Sequence, residues 1–239
     1  MDKGKIEERT LYSEALQEEV KLLVYLPATY SPLYKYSLLI ASDGKDYFQL
    51  GRISRVADDL LASEEIENLI IVGVPYENVK ARRAKYHPNG DKNEAYMRFL
   101  AQELVPYLDE QFPTYQIGMG RGLIGDSLAA TVSLMTACAY PHTFGKVMLH
   151  SPYVNDDVLA AVKDVSNTQF TVDHIIGLDE TAVPTGDGVE KNFLEENRQL
   201  SEIFNERGFD YRYEEVEGGH TWKTWQKDMT RTLQMNYTK

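Results

Sequence analysis

The sequence predicts an α/β fold, with a doubly wound, mostly parallel sheet in a three-layer α/β/α sandwich. Short, near-continuous apolar runs recur along the chain, the form taken by strands buried on both faces. Longer amphipathic stretches with three-and-four spacing alternate with them, as helices laid on a sheet would. No internal repeat, low-complexity tract or composition shift divides the 239 residues, so one domain over 1–239 is expected.

The strands come first. Residues 20–26 read as a strand stopped by Pro27, and 36–41, 68–74 and 146–150 as buried strands. Residues 122–125 form a shorter one, with 170–177 and 211–216 as further candidates. Between them, Tyr96, Phe99, Leu100, Leu104, Tyr107 and Leu108 keep helical spacing, with Pro106 expected to bend that helix or end it early. Residues 194–204 predict another helix, stopped at Gly208. In such sheets ligands bind beyond the carboxyl ends of the strands, which is where chemistry is to be sought.

Composition excludes several classes of partner. The formal charge of −12 disfavours phosphate-backbone binding, and no basic stripe offsets it, so no nucleic-acid partner is expected. The hydrophobic fraction of 43% with a mean hydropathy of −0.42 suits a globular chain. No apolar run is long enough for a bilayer, so no membrane association is expected. The N-terminal residues are charged and lack an apolar h-region; with a single cysteine, Cys138, this predicts a cytoplasmic location. Cys138 sits in an apolar helical stretch and reads as core packing.

The segment Leu123-Ile124-Gly125-Asp126-Ser127-Leu128-Ala129-Ala130 reads as a strand, a sharp turn at serine, and a helix. A nucleophile on such a turn needs small residues two places either side, and Gly125 and Ala129 meet that demand. The following helix would aim N–H groups and its positive end at a reacting oxygen. The other reading of Ser127 is a helix N-cap. For the base, His220 stands out of the five histidines. It lies in Glu217-Gly218-Gly219-His220-Thr221-Trp222-Lys223-Thr224-Trp225, just after a predicted strand, where paired glycines let a loop swing and tryptophans supply apolar walls. His150 ends a strand and reads as packing; His87, His142 and His174 show no chemical setting, and no histidine spacing suggests a metal or other cofactor.

With these residues in hand, the chain resembles the esterase D/enterochelin esterase-like branch of the α/β hydrolases. Val24-Tyr25-Leu26-Pro27-Ala28-Thr29-Tyr30 is similar to the family's opening strand, and Leu38-Leu39-Ile40-Ala41-Ser42-Asp43-Gly44 to a strand ending in Asp-Gly. Arg82-Arg83-Ala84-Lys85-Tyr86-His87-Pro88, the stretch from Phe99 to Pro106, and Gly218-Gly219-His220-Thr221-Trp222 with Trp225 follow in the family's order. Gly125-Asp126-Ser127-Leu128 also spells the GDSL signature, but it lies mid-chain and no Asp-x-x-His exists. The elbow reads Ser-Leu-Ala-Ala where the family more often has Ser-x-Gly-Gly.

The resemblance implies an α/β-hydrolase fold and a carboxylic-ester hydrolase acting on a small-molecule ester, with Ser127 as nucleophile and His220 as base. It implies an oxyanion hole from the N–H of Leu128 and one from the Gly44-Lys45-Asp46 loop, taken as Lys45. The cleft would then be lined by Gly44, Asp46, Arg82, Tyr86 and Trp222. The acid must lie between nucleophile and base in the chain order Ser, acid, His. Asp179, two places past Gly177, is the expected acid; Asp187 and Glu180 are the alternatives. Acyl transfer to another alcohol and a non-catalytic binding protein on the same scaffold are the competing readings. The resemblance leaves a siderophore lactone, an acyl or aryl ester and a thioester open as substrates, and the oligomeric state is not legible.

Overall fold

The computed structural model describes residues 3–186 and 188–239. Its central sheet has eight strands: β1 (Lys5–Ser13), β2 (Glu18–Leu26), β3 (Ser37–Ser42), β4 (Leu69–Val74), β5 (Arg121–Asp126), β6 (Lys146–His150), β7 (Thr171–Gly177) and β10 (Asp210–Val216). A two-residue pair, β8 (Val183–Pro184) with β9 (Glu190–Lys191), stands apart. The spatial order is β1-β2-β4-β3-β5-β6-β7-β10. β2 runs antiparallel to both β1 and β4, and every pairing from β4 onward is parallel.

Alternation along the buried strands divides the core in two. Leu38, Ile40, Ile70, Val72, Leu123, Val147 and Leu149 belong to one apolar cluster, whereas Leu39, Ala41, Leu69, Ile71, Ile124 and Met148 belong to the other. Successive side chains of a strand point to opposite faces, so each face carries its own layer of helices. The first face is covered by the helical stretch from α4 (Asn93–Arg98) to α5 (Val105–Gln111), together with α6 (Leu128–Ala139), α7 (Asp156–Asp164) and α8 (Phe193–Arg207). The second is covered by α1 (Gly44–Gln49), α2 (Ile53–Ala62) and α9 (Trp222–Tyr237). This is the expected three-layer α/β/α sandwich.

Two local expectations change. β1 was not anticipated: its alternating polar sequence, Lys-Ile-Glu-Glu-Arg-Thr-Leu-Tyr-Ser, forms a largely exposed edge strand rather than a buried run. Pro106 does not end its helix. A π-helical section over Phe99–Leu104 lies immediately upstream, and the helix continues to Gln111; wider turns there accommodate a ring that cannot donate to the preceding carbonyl. Gly208 closes α8 with φ 72°, as read. Cys138 is half-buried on α6, and burial pushes its thiol up to about 12, which leaves it unreactive.

His174 is wholly buried in β7. Its Nε2 lies 2.7 Å from Asn197 Oδ1 and its Nδ1 2.9 Å from the Tyr211 hydroxyl. Asn197 Nδ2 donates to the Pro152 and Phe193 carbonyls, so its Oδ1 must accept from the ring. The imidazole is therefore held neutral, and burial lowers it from 6.5 to about 4. Below pH 6.5 the unfolded chain takes up a proton that the folded chain refuses, so stability falls as pH drops from 6.5 toward about 4. The full effect is about 3 kcal/mol. Urea unfolding of wild type and His174→Gln between pH 7 and pH 4 will show a flatter profile in the variant.

Candidate active site

Ser127 follows β5 directly and has φ 53° and ψ −124°, a left-handed conformation unusual for a residue with a side chain. The cause is the close approach of α6 to the strand it leaves. A Cβ on Gly125 would overlap the Ala129 carbonyl and the Ala130 nitrogen. The turn is pinned on both sides: Ser127 N–H donates to the His150 carbonyl at 2.9 Å, and Ser127 C=O accepts from the Thr131 N–H and hydroxyl, both at 3.1 Å. Its side chain makes no capping bond to α6, which sets aside the N-cap reading.

The side chain instead meets His220, whose Nε2 lies 2.9 Å from Ser127 Oγ. The histidine hangs from the loop after β10, next to Gly218, whose φ is 127°. Phe193 and Trp225 stand edge-on to the ring, with centroids at 4.6 and 5.0 Å. His220 Nδ1 lies 2.6 Å from Glu180 Oε2. With Nδ1–H donating to a carboxylate, Nε2 carries the free lone pair and faces the serine hydroxyl.

The carboxylate against His220 is thus that of Glu180, one of the two alternatives, and not that of Asp179 as expected. The chain turns sharply where β7 ends: Glu180 N–H donates to the Gly177 carbonyl at 3.1 Å. This turn sends the fully buried Glu180 inward and leaves Asp179 exposed, with its N–H bonded to the Gly218 carbonyl at 3.0 Å. Glu180 Oε1 also accepts from the Gly177 N–H at 2.9 Å and from the Ser151 hydroxyl at 2.6 Å. A Cβ on Gly177 would sit 2.8 Å from that same oxygen, so the carboxylate occupies space only glycine leaves open. Asp187 lies outside the described residues.

A cleft of about 780 Å³ opens over these groups. Ser127, Leu128 and His220 lie in it, as do Asp46 and Arg82. Other residues expected to line it do not. Gly44 is buried against Gly73, and Tyr86 is buried with its hydroxyl accepting from the Asp43 N–H at 3.3 Å; the side chain of Lys45, a residue expected only to lend its N–H, lines a separate groove with Glu19 and Lys21. Trp222 turns away to pack edge-on against Tyr47 at 4.9 Å, and Trp225, three residues on, supplies the cleft wall. The sequence reading also missed Tyr153, Phe193 and the stretch from Val183 to Gly186, all of which line the cleft.

The floor is electrostatically closed. Arg82 grips Asp43 through Nε at 3.0 and 2.8 Å and through Nη2 at 2.6 Å. Burial still raises the Asp43 carboxyl despite that guanidinium. Asp126 is raised well above the ordinary carboxylate range by burial and then by Asp43, and its Oδ1 is buried without a hydrogen-bond partner. His150 is not part of the Ser127 chain. Its buried ring bonds to Tyr47 at 2.9 Å and stands 3.5 Å from Asp228, a structural setting. Among the described residues, no group of three or more His, Cys, Asp or Glu is placed to hold a metal ion. No described helix is long and apolar enough to cross a membrane.

The family described as "Putative esterase" matches residues 13–235. The chain belongs to that esterase family. A protein of Bacillus subtilis (strain 168), YjcH, is 52% identical over 231 residues, covering 96% of each chain. Among solved structures, a ferulic acid esterase superposes with TM-score 0.82 at 17% identity, covering 98% of this chain and 97% of its own. The enterobactin esterase FES from Shigella flexneri, solved with enterobactin, gives TM-score 0.80 at 18% identity, covering 97% of this chain and 59% of its own. At these identities the likeness establishes the α/β-hydrolase fold. The esterase carries the Gly125–Ala129 approach at the heart of that fold, and Gly125→Ala will cost about 2 kcal/mol or more in urea unfolding and sharply reduce activity. A variant of wild-type stability would show that the strand and helix can separate freely.

Proposed function

We propose that this esterase hydrolyses small carboxylic esters through an acyl-enzyme intermediate, with Ser127 as nucleophile, His220 as general base and Glu180 as the supporting acid. The observation that carries the reading is the unbroken hydrogen-bond chain from Ser127 Oγ through both imidazole nitrogens to a buried carboxylate. His220 takes the Ser127 proton as Oγ attacks the ester carbonyl, and returns it to the leaving alcohol as the acyl-enzyme forms. Water, deprotonated by the same Nε2, then releases the acid and restores the serine. Glu180 holds the imidazole in the working tautomer and stabilises the imidazolium.

The N–H of Leu128, at the start of α6, and that of Lys45, in the first turn of α1, are the proposed oxyanion donors. Lys45 takes part through its backbone, since its side chain faces another groove. Tyr153, Phe193, Val183 and Pro184 give the cleft walls apolar surface, which suits an aryl or alkyl acyl group. A ferulic acid esterase shares the fold, and esters of that aromatic acid are among the first substrates to try. Small-molecule substrates, a cytoplasmic location and a reaction without a cofactor complete the proposal.

p-Nitrophenyl acetate will be hydrolysed without added metal and equally in EDTA. Ser127→Ala and His220→Ala will each lower kcat by about four orders of magnitude or more. Glu180→Gln will cost about 10³- to 10⁴-fold in kcat, whereas exposed Asp179→Asn will stay within about twofold of wild type. An inactive Asp179→Asn beside an active Glu180→Gln would overturn the assignment of the acid.

A further inference from the structure

Glu180 accepts three donors, and one of them is the side chain of a residue with no place in the triad. Ser151 follows His150 at the end of β6, is fully buried, and has φ 49°. Its hydroxyl lies 2.6 Å from Glu180 Oε1 and 2.9 Å from the indole Nε1 of Trp225. The direction of this chain is fixed by chemistry. An indole N–H can only donate, so Ser151 Oγ accepts from Trp225 and must spend its own proton on the carboxylate.

We propose that Ser151, oriented by Trp225, is a positioning residue for the acid: its hydroxyl fixes the Glu180 carboxylate in place and aimed at His220. This rests on the Ser127–His220–Glu180 reading above. A wholly buried carboxylate is costly unless donors surround it. Here the Gly177 N–H and the Ser151 O–H saturate Oε1, leaving Oε2 to His220 alone. The left-handed turn at Ser151 serves the same end. The preceding carbonyl, of His150, receives the Ser127 N–H, while the Ser151 N–H is bound to the Ile175 carbonyl at 2.9 Å. Consecutive residues of one strand end thus tie down the nucleophile's backbone and the acid's side chain. Trp225 has two parts to play. Its ring packs edge-on against His220 and lines the cleft, and its N–H sets the serine rotor.

Ser151 does not line the cleft, so its loss acts on turnover rather than on substrate binding. Ser151→Ala will lower kcat by about 10- to 100-fold, the worth of one hydrogen bond to a buried charge, with KM unchanged. Trp225→Phe, which keeps a ring and removes the N–H, will lower kcat by a smaller factor and serves if Ser151→Ala is recovered unfolded. The deciding measurement is a double-mutant cycle with Glu180→Gln. In the Glu180→Gln background, Ser151→Ala will cost less than about threefold further, because the carboxylate it serves is gone. Losses that multiply would show that Ser151 acts independently of the acid and would overturn the proposal, as would a Ser151→Ala enzyme within twofold of wild type. A fully active Glu180→Gln enzyme would instead overturn the triad reading on which the proposal stands.

Discussion

The architecture of the site depends on one steric constraint, the absence of a side chain at Gly125. Because β5 and the first turn of α6 meet backbone to backbone there, the chain has only one residue, Ser127, in which to reverse direction. That residue accepts a left-handed conformation, and the strain is held by hydrogen bonds to the ends of β6 and the body of α6. A serine so placed projects beyond the carboxyl edge of the sheet with its hydroxyl committed to neither strand nor helix. The distances to His220 and Glu180 follow from where β7 and β10 end along that same edge. The proposed catalytic groups are held by strand termini and tight turns, and so inherit the rigidity of the sheet.

How much of this the sequence disclosed varied with the physics of each element. Strands buried on both faces were legible because a run such as Leu69 to Val74 leaves no other reading. β1 was not, since an edge strand facing water alternates charged and apolar residues and its pairing with β2 is a matter of backbone hydrogen bonds. Ser127 and His220 were legible because their neighbours, Gly125 and Gly218-Gly219, are small for steric reasons that show in the sequence. The acid was not, because adjacent carboxylates Asp179 and Glu180 differ only in which way a four-residue turn points them.

The choice between Trp222 and Trp225 failed for a similar reason. Both begin α9, three residues apart, and a shift of register decides which ring faces His220 and which packs on Tyr47. Ser151 carried no signal in its own right, since its only mark is to follow a strand that ends in histidine. The signal lay in pairing it with a buried donor-only side chain from the far end of the chain, a relation visible only in three dimensions.

The firm seating of Glu180 has an evolutionary consequence. Immediately after it the chain leaves the sheet for an excursion that returns at α8, and its residues from Val183 to Gly186 form part of the cleft rim. Among the described residues, the proposed acid's Oε1 is anchored upstream of that excursion, by Gly177 and Ser151. Insertions, deletions and substitutions in that rim can therefore reshape what enters the cleft while leaving the proton-transfer apparatus in register. Arg82 reinforces the separation, for its guanidinium is already spent on Asp43 and supports the floor of the cleft. Relatives on this scaffold can diverge in selectivity by drift in one peripheral segment, with chemistry and recognition evolving as separate modules.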